Sequence, residues 1–519
     1  AKDGGWNESR LATAWWWLGQ HCHSPVDVRA YQAEVIDNQI DVIGKAFQGM
    51  TIACARCHDH KFDAISTADY YALYGLIESG SFSHGSVDGP EVFAKTRSEL
   101  EGKKEKIRAA IARQWRREIS KVDQYLLVAH EALATKMPIA DLAKRHGLDA
   151  ALLDKWAKSL QAAGDAKHPL HAFQNHGRWQ TVVNPDPDAK GALVPEGYQL
   201  VSDVRRTEGK DWFADGASFA NAFTRPGEFV VESNGPRPLE AGWLHGGKTA
   251  RKLQGTLRSP TFKITANNIH LYAMGKDVRV NVVIDNFKII RNPIYGGATK
   301  TINNEKPHWF SFGLAMWKGH HAYVEFCDLS NSDPAGRGSG PDGWAAVQQL
   351  WQSNGGPPRT GAESIQPSHA LTGTKAATLK LAALRYEDLL DSIIRAWSTG
   401  KEITRAQAKL MAGLIESGLL PLAAEHKPLI DAYVKTANSM ARPTVVPVML
   451  EGTARNEQVF IRGSHKNLGG TMSRRYLTAL VGEKPPATTG TGRRALAHHI
   501  ADASNPLTAR VYANRIWHH

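Results

Sequence analysis

Cys54-Ala-Arg-Cys-His-Asp-His-Lys-Phe-Asp63 sets two thiols three residues apart with an imidazole directly behind the second. This is the Cys-x-x-Cys-His pattern of covalent c-type haem attachment. On a helical turn Cys54 and Cys57 lie on neighbouring edges of one face, so each sulfur can add to one vinyl group of the same porphyrin. His58, four residues after Cys54, then points at the iron as proximal ligand. Arg56 and Lys61 are candidates to pair with the haem propionates. The competing readings are half of a zinc site, which would need a second Cys or His pair nearby, and a thiol redox pair, which would need a βαβ context. The sequence offers no clear case for either. With four cysteines in the whole chain, a chance match of this spacing is also disfavoured.

Ahead of the motif, apolar residues at Val35, Ile36, Ile40, Ile43, Phe47 and Met50 keep spacings of three and four, which predicts an amphipathic helix running towards the Cys pair. Behind it, Ser66 or Thr67 is a natural cap for a helix through Tyr70, Tyr71, Leu73, Tyr74 and Leu76. A second axial ligand has three candidate sources: His23 folding over the distal side, with His21 its rival; an open position; and Met50, which its place before Cys54 tends to put on the proximal side. A structural histidine is the plainer alternative for His23. His60 is expected to bond a propionate or the backbone, because two residues after His58 it would point away from the iron.

These residues carry a resemblance. Ile36-Asp-Asn-Gln-Ile-Asp-Val-Ile-Gly44, Phe47-Gln-Gly-Met-Thr51, the motif itself and Asp69-Tyr-Tyr-Ala-Leu-Tyr-Gly75 resemble the later half of the planctomycete cytochrome c-like domain. Asn505-Pro-Leu-Thr-Ala-Arg-Val-Tyr-Ala-Asn-Arg-Ile-Trp-His-His519, with Arg462-Gly463 before it, is similar to the opening of the partner domain that usually follows in such polypeptides. The first half of the cytochrome domain is absent, and the partner domain stops where its Trp-His-His motif begins. The resemblance implies an exported protein, periplasmic or at the cell surface, that carries one haem c and works with a redox partner protein; it implies no particular reaction. The abrupt ends are read as those of a piece of a longer precursor.

The 519 residues suffice for about three domains. A hydrophobic content of 42% and a charged content of 22% are those of an ordinary globular protein. A net charge of +12 suits an acidic redox partner or an anionic polysaccharide. Nucleic acid is not expected, since no reading module accompanies the charge. No stretch of about twenty apolar residues is present to span a membrane.

The fold class expected is multidomain α+β. Residues 1–90 form an α-helical c-type haem domain. Residues 91–166 form a basic helical hairpin, with one long helix from about Val92 to Lys136 packed on the haem domain. Residues 167–354 form a central antiparallel β-sandwich of jelly-roll type, with short strands at Phe229–Glu232, Leu257–Ile264, Ile269–Met274, Val278–Ile284 and Ala322–Phe326. Residues 359–519 form a mainly α-helical C-terminal partner domain. Gly255-Thr-Leu-Arg-Ser-Pro-Thr-Phe262 and the strands after it are similar to galactose-binding-like modules that hold carbohydrate. That likeness makes Trp243, His245, Tyr295, Trp309, Trp317, His320, His321 and Trp344 a candidate sugar platform, although most such aromatics are core. Asp328, Asp333 and Asp342 lack the spacing of a calcium loop. Cys22 and Cys327 are expected to be free thiols. Lys466, Arg474 and Arg475 are candidates to anchor an acidic group.

Two functions fit: an exported haem protein of electron transfer or haem-based redox chemistry, on or near polysaccharide, or a surface, assembly or carbohydrate-binding protein in which haem is structural. A hydrolase is disfavoured, since neither a Gly-x-Ser-x-Gly elbow nor a His-Glu-x-x-His helix occurs.

Overall fold

Asp27 and Ser66 start the two helices that flank the Cys turn, each by accepting a backbone N–H with its side chain. A computed structural model describes residues 6–19, 25–176, 194–287, 296–328, 342–359, 365–371, 376–482 and 490–518. His21, Cys22, His23, Tyr295 and Asp333 lie outside the described residues. After a short helix α1 (Glu8–Ala12), α2 (Val28–Ile43) passes into a π-turn, Gly44–Gln48, that ends at left-handed Gly49. The helix expected to run on to Met50 therefore changes from α to π after Ile43 and ends at Gln48. Its cause is close approach: a Cβ on Gly44 would sit 2.7 Å from the Met50 carbonyl oxygen, so the chain turns back on itself there. Helix α3 (Thr67–Glu78) is capped by Ser66, one of the two residues expected there, in a full capping box with Asp69, and leads into strand β1 (Gly80–Ser86).

The basic segment is not one helix. It folds as α4 (Pro90–Ile119) and α5 (Val122–Thr135), broken at Ser120 and Lys121, then α6 (Ile139–His146), α7 (Ala150–Gln161) and α8 (His171–Gln174). Nor does α4 pack on the Cys-motif segment. Its apolar stripe of Leu100, Ile107, Ile111 and Trp115 finds Leu390, Ile393, Ile394 and Trp397, and Trp115 stacks on Trp397 at 5.3 Å. The larger apolar face is the one offered by the C-terminal helices, and burial decides the partner.

The middle of the chain is an antiparallel sheet: β2 (Tyr198–Asp203), then a turn of helix α9 (Val204–Thr207), β3 (Phe213–Gly216), a separate hairpin of β4 (Phe229–Glu232) and β5 (Gly235–Pro238), β6 (Leu244–His245), β7 (Gly255–Arg258), β8 (Phe262–Lys263), β9 (Asn268–Ile284), β10 (Thr299–Gly313), β11 (His321–Asp328) and β12 (Trp344–Ser353). Its hydrogen-bonded path runs β2-β12-β9-β11-β7-β3, with β10, β6 and β8 attached to β9, β12 and β11. Two of the expected strands are one: β9 joins Ile269–Met274 to Val278–Ile284 through Gly275. Strand β12 is buried along its whole length and had no β-prone signature, because glutamines interrupt it. Two of them are satisfied by neighbours, Gln349 donating to Asp203 at 2.9 Å and Gln352 to the Lys263 carbonyl at 3.0 Å.

Three helices follow, α10 (Leu379–Ser398), α11 (Arg405–Glu416) and α12 (Lys427–Ser439), and then β13 (Val445–Glu451), β14 (Glu457–Phe460), β15 (Leu468–Met472), α13 (Thr478–Val481), α14 (Arg493–Ala501) and α15 (Thr508–His518). Strand β13 pairs antiparallel with β1, from Gly80 opposite Glu451 to Ser86 opposite Val445. Beside this ladder, Ile36, Ile40, Ile52 and Tyr71 share one core with Phe460, Tyr476 and Leu496. The first and last segments of the chain thus form one packing unit, while 379–439 packs with 90–173. Among the described residues no helix is long and apolar enough to cross a membrane.

A buried charge network joins these parts. Glu78, at the end of α3, accepts from Arg29 of α2 at 2.6 Å and from Gln32 at 3.2 Å. Arg29 also holds Glu457 of β14. Arg455 pairs with Asp285, at the end of β9, at 2.6 Å, and His320 bonds the same carboxylate at 2.6 Å. Burial opposes ionisation of Glu78, yet Arg29 and Arg455 hold its pKa below the ordinary value. Burial and then the adjacent Glu78 carboxylate push Glu457 up to about 7. A carboxyl raised in the folded state contributes stability that is present below its unfolded value and is lost as pH rises through the folded one. Between pH 4.5 and 7 the protein should therefore lose stability relative to its Glu457→Gln variant. Thermal denaturation of both across that range should show the gap widening in favour of the variant; a constant gap would mean that Glu457 does not titrate there.

Candidate functional site

Ile52–Arg56 forms a single 3-10 turn with Cys57 at its end, so Cys54 and Cys57 belong to one turn as the spacing predicts. Both thiols are exposed and unpaired, whereas Ile52 and Ala55 are buried beneath them. The sulfurs are thus the outward face of a turn whose other face is core. Cys327 lies buried in β11 outside any disulfide, as expected, and its thiol donates to Glu325 at 3.3 Å.

Behind Cys57 the chain is not helical, and hydrogen bonds shape it instead. His60 Nδ1 accepts from the Asp63 N–H at 2.9 Å and the Phe62 N–H at 3.3 Å, so its proton sits on Nε2, which donates to Thr51 Oγ1 at 3.0 Å. Of the two roles expected for His60 the structure gives backbone bonding. Asp59 Oδ1 accepts from the Thr67 N–H at 2.7 Å, which ties the loop to the start of α3. His58 is exposed, and its Nδ1 lies 2.8 Å from the Asp59 carbonyl oxygen. A carbonyl only accepts, so Nδ1 carries a proton, and in the neutral ring Nε2 is the nitrogen left for a ligand or metal.

Arg56 is half-buried and pairs with Asp37 of α2 at 3.3 Å, while Lys61 lies over the Phe62 ring at 5.1 Å. Asp37 is the residue that sequence reasoning missed here; it also accepts from Tyr70 at 2.5 Å. Met50 is outside any helix and packs at the edge of the core formed by Ile40, Ile52 and Tyr71. His23 falls outside the described residues.

The turn is set from below by tyrosines and from the side by the C-terminal segment. Tyr71 donates to the carbonyl oxygens of Arg56 at 3.1 Å and of Phe460 at 3.2 Å, and its ring lies 5.0 Å from that of Phe460. Gly463, at a φ of 75°, comes so close to the second thiol that a Cβ there would stand 2.7 Å from Cys57 Sγ. Farther along, Gln48 of the π-turn donates to Thr508 at 2.8 Å and accepts from Asn505 at 3.2 Å, and Gly49 faces Val511 of α15. The two stretches that resemble neighbouring family domains therefore touch.

The cations Lys466 and Arg475 do anchor acidic groups, and these are internal: Asp27 at 3.3 Å and Asp69. Against the burial that would raise it, hydrogen bonds from Thr478 and Arg475 hold Asp69 down at about 2. Of the aromatic platform, Trp243, His245 and Trp344 are buried, with His245 stacked on Trp344 at 4.6 Å, so they are core rather than sugar surface. Among the described residues no group of three His, Cys, Asp or Glu side chains is arranged to hold a bare metal ion. The donor set instead suits a group that brings its own equatorial ligands and needs two thiols and one imidazole. Phe62, four residues after His58 and 84% exposed, leaves apolar surface for such a group to cover.

Among known proteins, the family described as PSCyt2, protein of unknown function (DUF1549), matches residues 2–81, well under half of the chain. No curated protein matches. A solved family two carbohydrate esterase from Cellvibrio japonicus is similar at 12% identity over 27% of this chain and 33% of its own, with a TM-score of 0.14, too low to carry an argument. This chain spans about a third of that esterase.

Replacing Gly463 by Ala should cost ~1–2 kcal/mol for the left-handed backbone alone. The new Cβ should also displace Cys57. Urea unfolding, with thiol labelling resolved by peptide mass, should show lower stability and an altered labelling rate at Cys57 but not at Cys54. An unchanged midpoint and unchanged rates would contradict this packing.

Proposed function

We propose that this chain is part of an exported c-type haem protein of the planctomycete cytochrome c-like kind, working in electron transfer with a redox partner protein. The observation that carries the reading is the outward pair of free thiols on one buried-backed turn, followed by an exposed imidazole whose Nδ1 is engaged by the Asp59 carbonyl. Cys54 and Cys57 would hold haem c by two thioethers and His58 would be its proximal ligand; bound there, haem supplies one-electron redox chemistry. The Asp59 carbonyl fixes the His58 tautomer and orients the ring, as an outer-shell acceptor does for a ligating histidine.

Arg56 and Lys61 are the cations nearest in sequence. Arg56 would exchange or share Asp37 to reach a propionate, whereas exposed Lys61 has no such tie. Tyr71 fixes the turn through backbone carbonyls and is a positioning residue, while Gly463 packs against the Cys57 thiol itself. The net charge of +12 favours an acidic partner through long-range attraction, with an on-rate that falls as salt rises. His23 stays the first candidate for the distal ligand.

The test is the optical spectrum of natively produced protein, oxidised and reduced, with and without carbon monoxide. A low-spin spectrum indifferent to carbon monoxide is expected, and His23→Ala should then make it sensitive to the gas. A high-spin spectrum that shifts on adding carbon monoxide to the unaltered protein would instead mean an open iron and a haem enzyme.

A further inference from the structure

Between the sheet and the helical part lies a cavity of about 510 Å³, within the range of pockets that hold one or two small rings. Its floor is Tyr272 and Met274 of β9, on the face of that strand away from the core residues Leu271 and Ala273. Helix α11 forms the opposite wall with Arg405 and Lys409, and β5 contributes Arg237.

Gln348 singles this cavity out. It lines the wall at a β-bulge, where the pairing of β12 with β9 slips between Val347 and Gln349. A bulge re-aims one side chain at the expense of a regular ladder. The Gln348 side chain is 2% exposed, and its Nε2 donates to nothing among the described residues. A buried donor left unmade costs ~1–3 kcal/mol, so its presence on a wall calls for an acceptor that arrives from outside.

The wall charges say which kind. Arg237, Arg405, Lys409 and two further lysines stand against three glutamates. Five cations favour an anionic group. Three carboxylates beside them would repel a bare dianion but accept hydrogen bonds from hydroxyls. Lys409 and Glu240 are 3.9 Å apart and Arg237 is bonded to Glu232 at 2.8 Å, so both signs are held in place.

We infer that this cavity is a binding site for an acidic sugar, a uronate unit or short oligouronide. Its carboxylate meets the Arg and Lys side chains, a ring oxygen or hydroxyl accepts from Gln348, and the remaining hydroxyls donate to the glutamates. The site is independent of haem attachment, since none of its walls belongs to the Cys turn.

Calorimetry and intrinsic fluorescence on the full chain test this with galacturonate oligomers, a neutral disaccharide of the same size and inorganic phosphate. Trp243 and Trp309 lie 5.4 and 4.8 Å from Tyr272 and would report occupancy. Saturable uronate binding at least tenfold tighter than either control is expected. Gln348→Leu should weaken it about tenfold, the loss of one hydrogen bond, while leaving the melting temperature unchanged or higher because an unsatisfied donor is removed. Lys409→Gln, at a partly exposed position, should also weaken it and guards against a misfolded first variant. No saturable uronate binding, equal binding of the neutral sugar, phosphate binding as tight as uronate, or a folded Gln348→Leu protein with full affinity would each overturn the assignment.

Discussion

Glu78 is the constraint on which the arrangement of the chain depends. It is a fully buried carboxylate, and leaving such a charge without partners costs several kcal/mol. Its partners come from parts of the chain far apart in sequence: Arg29 from the helix before the Cys turn and Arg455 from the C-terminal segment, whose other partner, Asp285, ends the longest strand of the sheet. Folding any one of these parts alone would strand the charge. The network therefore makes the first segment, the sheet and the last segment interdependent, and the β1–β13 ladder beside it adds a backbone seam.

The Cys turn inherits its shape from that seam. Phe460 and Gly463 leave β14 directly over Tyr71 and Cys57, while Tyr71 bonds the carbonyl before Cys57. A turn so held keeps two thiols and an imidazole facing outward before any group is attached, which is what preorganisation of a site requires. The region 445–518 thus supports the motif segment, although some four hundred residues of chain lie between them.

Much of the local structure was legible. Ser66 was one of two expected caps, the 3.6-residue pattern gave α2 and α3, and alternating valines gave the second half of β9. Non-local choices were hidden. Nothing in 91–136 tells which apolar face its stripe will meet, so α4 was assigned to the wrong neighbour. Strand β12 left no such signal because glutamines interrupt it, and Gln349 and Gln352 find their partners only once folding brings these near. The close approaches at Gly44 and Gly463 are equally invisible, since a glycine's neighbour across space leaves no mark beside it in sequence. Of the candidate site, Cys54, Cys57 and His58 were readable from spacing; Asp37, Asp59 and Tyr71, which hold the turn, were not.

The most direct measurement is the intact mass of the protein after coproduction with a cytochrome c maturation system. The account predicts the polypeptide plus one haem, retained through denaturation and acid extraction and lost when Cys54 and Cys57 are both replaced by Ala. A mass equal to the bare polypeptide, in a folded protein made alongside a control cytochrome that does acquire haem, would contradict it.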